Sequence, residues 1–174
     1  MAVNRLTSVV LPGVVVGALA VIVACSNKTF FEPPTRPLAT VMLTGSAVVS
    51  PVATTGGGTA TFDRSLDDFK YVNYIIDLSN MKAIHAVHLH LGVAGANQAS
   101  TDPPLVTVFD SIPGVALPDI SGRFMQSNFT VTELRPKGIS LDSLDALIAK
   151  GLVYMDVHTR AYPNGELRGQ LVKR

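Results

Sequence analysis

The chain has 174 residues, with 14 basic and 13 acidic side chains and a single cysteine. So even a balance lacks the basic excess with which a protein grips nucleic acid, and one thiol excludes a framework of internal disulfides. Hydrophobic residues make up 47% of the chain, but the N-terminal run inflates that figure, which does not mark a membrane-embedded domain.

Arg5 gives the chain a short positive start, and residues 9–24 are apolar apart from Pro12, Gly13 and Gly17. A run of this length fits the hydrophobic stretch of an export signal and is short for a membrane span of about 20 residues. It ends in Ile22-Val23-Ala24-Cys25-Ser26, which resembles the lipobox of bacterial lipoproteins. The resemblance implies that residues 1–24 are a signal peptide cut before Cys25, and that Cys25 carries the lipid and is the contact with the membrane. Two or three acyl chains on one residue hold a protein at a bilayer where a single chain does not. Residues 25–37 then read as lipidated cysteine and tether, kept extended by Pro33, Pro34 and Pro37. The expected location is the bacterial cell envelope, facing outside the cytoplasm; Ser26 after the cysteine favours the outer membrane in a Gram-negative host.

Removing residues 1–24 leaves 13 basic and 13 acidic residues, and no internal repeat is visible. Residues 38–174 form the expected domain, long enough for a real core. They are rich in Val, Thr, Gly and Pro, with short alternating runs between turn residues, the all-β pattern. Strands are predicted at 39–49, 58–63, 71–78, 84–91, 105–109, 122–131, 152–158 and 166–172. Between the last strands but two, Ser140 can cap a helix with Leu141, Leu144, Leu147 and Ile148 at helical spacing, and Gly151 can end it. The expected fold is an immunoglobulin-like or Greek-key β-sandwich of about eight strands with one short crossover helix; a closed barrel is the second choice.

All four histidines fall on two of these strands, in His85-Ala-Val-His88-Leu-His90-Leu-Gly and in Val157-His158-Thr159. Alternation of side chains along a strand puts Val87, Leu89 and Leu91 on the core face, with His85, and turns His88 and His90 the other way. Likewise Val153, Met155 and Val157 face the core while Tyr154, Asp156 and His158 face away. On the last strand Leu167 and Leu171 point inward, and Glu166, Arg168 and Gln170 outward. If these strands are neighbours, His88, His90 and His158 can form a three-nitrogen surface site for zinc or copper, with Asp156, Glu166 and Arg168 near. The alternative is that the imidazoles bond loop carbonyls and carboxylates and brace the turn at Pro163-Asn164-Gly165. Glu166 and Arg168 read as a structural ion pair or clamp, with the arginine on carbonyls of the residue 160–164 turn.

The paired segments resemble the CHRD domain, a module repeated in chordin and found singly in exported bacterial proteins. That family has an H-x-H-x-G strand, here His88-Leu89-His90-Leu91-Gly92. It also has a terminal motif matched by Tyr154-Met155-Asp156-Val157-His158-Thr159 and by Pro163-Asn164-Gly165-Glu166-Leu167-Arg168-Gly169-Gln170. Asp156 stands where the family usually has Asn, and the 92–104 loop departs from the common version. The resemblance spans about residues 38–173 and implies an extracellular β-rich module without a settled activity. A second resemblance is to the copper-side strand of copper/zinc superoxide dismutase, through His85-x-x-His88-x-His90 and Val157-His158. It implies that His88, His90 and His158 are copper-type ligands. The rest of that enzyme is missing: no histidine lies between Gly92 and Gly122, and no cysteine pair staples a zinc loop.

No Gly-x-Ser-x-Gly elbow supports a hydrolase, and Gly56-Gly57-Gly58 lacks the Lys and helix of a phosphate loop. The expectation is a lipid-anchored, extracytoplasmic, non-catalytic protein with a binding or envelope-structural role and no certain cofactor. Two alternatives stand beside it. One is a copper- or zinc-binding protein using the three histidines. The other is an adhesion or matrix component that meets an extracytoplasmic protein partner through the 92–104 and 112–119 loops.

Overall fold

The computed structural model describes residues 34–67, 70–96, 103–113, 115 and 117–174. The expected signal peptide, Cys25, most of the tether and the middle of the 92–104 loop lie outside the described residues.

Among the described residues, nine antiparallel strands build one sheet: β1 (Thr35–Thr44), β2 (Gly57–Ser65), β3 (Tyr71–Met81), β4 (Ile84–Leu91), β5 (Val106–Asp110), β6 (Ile120–Thr130), β7 (Val153–Thr159), β8 (Leu167–Gln170) and the short β9 (Val172–Lys173). Their spatial order is β5-β4-β7-β8-β1-β2-β3-β6, with β9 added on β1. The sheet is nearly closed, and its two edge strands approach through a perpendicular contact of Phe109 with Phe124 at 5.3 Å between ring centres. The all-β expectation holds, and the expected strands all exist, although the first ends at Thr44 rather than at residue 49 and begins at Thr35.

The alternation that predicted the strands also fills the core. Val41, Leu43, Phe62, Ile76, Leu89, Met155, Val157 and Leu167 are each at most 1% exposed. Helix α2 (Leu141–Ala149) starts where Ser140 accepts from the Ser143 amide, buries Leu141, Leu144 and Ile148, and lies in the crossover from β6 to β7. Its outer side anchors β1, β2 and β9, because Arg36, Arg64 and Lys173 all reach Asp145. A second helix, α1 (Val131–Leu134), was not expected. The signal was present in Thr130-Val131-Thr132-Glu133, a capping box in which Thr130 and Glu133 satisfy each other's backbone amides.

Candidate metal centre

Strands β4 and β7 lie side by side, with Ala86 opposite His158, His88 opposite Asp156 and His90 opposite Tyr154. Residues two apart on a strand share a face, so His88 and His90 from one strand and Asp156 and His158 from the other converge. One ligand atom from each of the four lies within 4.8 Å of every other. Asp156 Oδ1 is 3.1 Å from His158 Nε2 and 3.5 Å from His90 Nε2. The three histidines read from the sequence are therefore brought together, and Asp156 joins them as a fourth donor.

His85 is the exception to simple alternation. The pairing of β4 with β7 slips between Ile84 and Ala86, and such a bulge turns a side chain that strict alternation would place elsewhere. His85 accordingly leaves the core face and lies half-buried with its ring centre 5.8 Å from that of His158. Burial lowers its pKa first, and the neighbouring His158 lowers it further. Leu91, also expected inside, is 36% exposed at the strand end.

Fixed partners orient the rings. His158 Nδ1–H donates to the Pro163 carbonyl at 3.0 Å, which leaves Nε2 as the nitrogen that faces Asp156. His88 Nε2 lies 3.1 Å from Asp110 Oδ1. His90 stacks on Tyr154 with ring centres 5.2 Å apart, and the Arg168 guanidinium covers the Tyr154 ring at 3.7 Å. Burial would lower the pKa of His158, but the Asp156 carboxylate, with help from the Pro163 carbonyl, raises it above the ordinary value. Asp156 Oδ1 and His158 Nε2 are both buried, so the two atoms that face each other at 3.1 Å are screened from solvent.

The site is less exposed than a surface patch. His90 and Asp156 are each 9% exposed, and Glu166 and Arg168 are buried. The four donors line a cleft of about 900 Å³ together with Val48, Val49, Val52, Pro104, Tyr162 and Arg168, among others. The clamp expected between Glu166 and Arg168 is built differently. Glu166 accepts from the Thr54 and Thr159 hydroxyls, each at 2.6 Å. Arg168 donates to the Ala96 and Val93 carbonyls, at 2.7 and 3.1 Å, and not to the residue 160–164 turn. Gln170 adds bonds to the Gly92 and Gly151 carbonyls at 2.8 and 2.6 Å. The Arg-Gly-Gln end of the second motif thus clasps the loop that follows the first, a pairing invisible to residue spacing. Thr54 and Asp110 had no signal in the sequence, since Thr54 lies in a loop and Asp110 ends β5 one residue beyond the predicted strand.

An all-β domain whose two histidine-bearing strands are neighbours, locked by an Arg-Gly-Gln clasp, is the class this geometry defines. The family model for the CHRD domain matches residues 39–171, and the chain belongs to the CHRD family. No curated protein and no solved structure is similar enough to the chain to be matched.

Proposed function

We propose that this CHRD protein is a non-catalytic, extracytoplasmic binding module, held to the membrane by lipid on Cys25, that binds a divalent zinc or copper ion through His88, His90, His158 and Asp156. The observation that carries the metal reading is the convergence of four donor atoms within 4.8 Å, on side chains largely buried. Nitrogen ligands bind zinc at about 2.0–2.1 Å, which puts neighbouring donors about 2.9–3.3 Å from one another at an ion that can take a fifth ligand. Shifts on the order of 1 Å, within side-chain rotation, close the observed group to that size. Imidazole and carboxylate donors suit zinc and copper(II) better than calcium or magnesium, which take oxygen ligands. Support also comes from the outer partners, because ligating imidazoles are ordinarily held through their other nitrogen by a carbonyl or carboxylate. Pro163 plays that part for His158. The lipid anchor rests on the lipobox-like Ile22-Val23-Ala24-Cys25 and is separate from the metal site.

The test is metal content by mass spectrometry with zinc and copper(II) titration on residues 26–174, which contain the whole described core from Leu38 to Leu171. The proposal expects about one ion per chain, lost in His158→Ala and in His88→Ala with the β-sheet circular-dichroism signal retained. No uptake in micromolar excess leaves the histidines as braces of the Pro163 turn and removes the metal reading.

A further inference from the structure

All four donors arise from the same face of two adjacent strands. An ion held there is ligated from one hemisphere, and its remaining coordination positions point away from the sheet. Those positions open onto a cleft of about 900 Å³. A metal ion alone needs a small fraction of that space, whereas sites for small organic molecules run to about 300–1,000 Å³. The lining is also divided in chemistry. The donor group supplies one part, and the half-buried Val48, Val49, Val52 and Pro104 with the ring of Tyr162 supply an apolar part.

We infer that the bound ion is a docking point for a small organic anion, whose carboxylate, phenolate or hydroxamate oxygen completes the coordination and whose apolar body lies against Val48, Val49 and Val52. The inference rests on the metal reading above. The anionic donor follows from the positive ion, and the apolar body from the valine-lined wall. Two side chains of the lining can be enlarged to narrow the cleft: Ala161, exposed in the turn after β7, and Val49 in the apolar wall. The turn that bears Ala161 is fixed by the His158–Pro163 bond and by the Tyr162 hydroxyl, which reaches the Ala53 carbonyl at 3.5 Å. Ion, rim and apolar wall are thus parts of one braced cleft.

The probe is benzohydroxamate, titrated calorimetrically into zinc-loaded and metal-free protein, with bound zinc measured after each titration. The loaded protein is expected to bind it at least about tenfold more tightly than the metal-free protein, and more tightly than acetohydroxamate, which lacks the ring that buries apolar area. Ala161→Trp, or Val49→Trp should the first distort the turn, is expected to weaken the probe by about tenfold or more while keeping about one zinc per chain. Equal binding to loaded and metal-free protein overturns the inference, as does no binding at millimolar probe or loss of zinc to the probe. So do unaltered affinities in both tryptophan variants, and each of these results leaves the metal reading standing. Failure to take up zinc in the first place removes both readings, and the metal measurement registers that separately.

Discussion

Gly169 offers a sharp test of how the clasp is held in place. β8 crosses β1 so closely that a Cβ on Gly169 would overlap the Met42 carbonyl oxygen, come to 2.5 Å from Val41 Cγ2 and to 2.9 Å from the Met42 carbonyl carbon. Two of the three atoms are backbone and cannot rotate away, so Gly169→Ala must push β8 from β1 by on the order of 1 Å, and a gap of that size forfeits a quarter to a half of each van der Waals contact across it. The residues along that seam include Val41, Leu43, Leu167 and Leu171, all at most 2% exposed. Overpacking with such backbone shifts costs about 1–3 kcal/mol or more, and we place this case near the top, at about 3 kcal/mol. For a domain of this size that corresponds to a fall in Tm of roughly 10 °C. Gly57→Ala is the internal control: its nearest neighbours are 3.7 Å away, an ordinary contact, and the change is expected to stay within about 1 kcal/mol, in the direction of a gain. Thermal unfolding followed by circular dichroism, with urea titration for ΔG, measures both. Equal and small shifts for the two variants would refute the argument that β8 needs a bare backbone at Gly169.

Glu166→Gln keeps the shape of a buried side chain but weakens two charge-assisted bonds from Thr54 and Thr159; a loss of about 2 kcal/mol is expected in urea titration, and Thr159→Val should lose a similar amount without adding fully to it. The carboxyl of Asp145 is held below the ordinary value by its bond from Lys173, against burial, and further by Arg36. A depressed pKa stabilises the fold above the unfolded value and loses that contribution as pH falls through the folded one, so wild type should weaken more than Asp145→Asn between about pH 5 and 2 in acid-titrated melts. Parallel pH profiles for the two proteins would contradict this role. For the anchor, Cys25→Ser is expected to abolish labelling of the protein by a radioactive fatty acid in a bacterial host; unchanged labelling would place the lipid elsewhere.

Strand β4 was legible because its alternation coincides with its burial: residues 84–91 were bounded correctly, and Val87 and Leu89 are core. The same rule misplaced His85 and Leu91, because a bulge breaks the period at one end and the strand runs out of cover at the other. α2 was readable from its cap and its apolar spacing, whereas α1 is a single turn with too few residues to show a period, and only its capping box announced it. For the site, the three histidines could be named from their faces, but their meeting depends on β4 lying beside β7, which pairing alone decides. Of the partners that orient them, the Pro163 turn is one the sequence offers as braced by imidazoles, and His158 does bond its carbonyl, whereas Asp110 comes from β5, far along the chain from His88. Of the cleft's valine wall, Val48 and Val49 lie beyond the end of β1 at Thr44, although alternation predicts a first strand running on to residue 49.

Central to the account is that His88, His90, Asp156 and His158 act together as one ligand set. The most direct measurement is X-ray absorption spectroscopy at the zinc and copper edges on the loaded 26–174 domain. The account predicts about three imidazole scattering paths with nitrogen or oxygen neighbours at about 2.0 Å, and no bound ion to give that spectrum in His158→Ala. A loaded protein whose spectrum shows no imidazole scattering, or keeps it unchanged in His158→Ala and His88→Ala alike, would contradict the account.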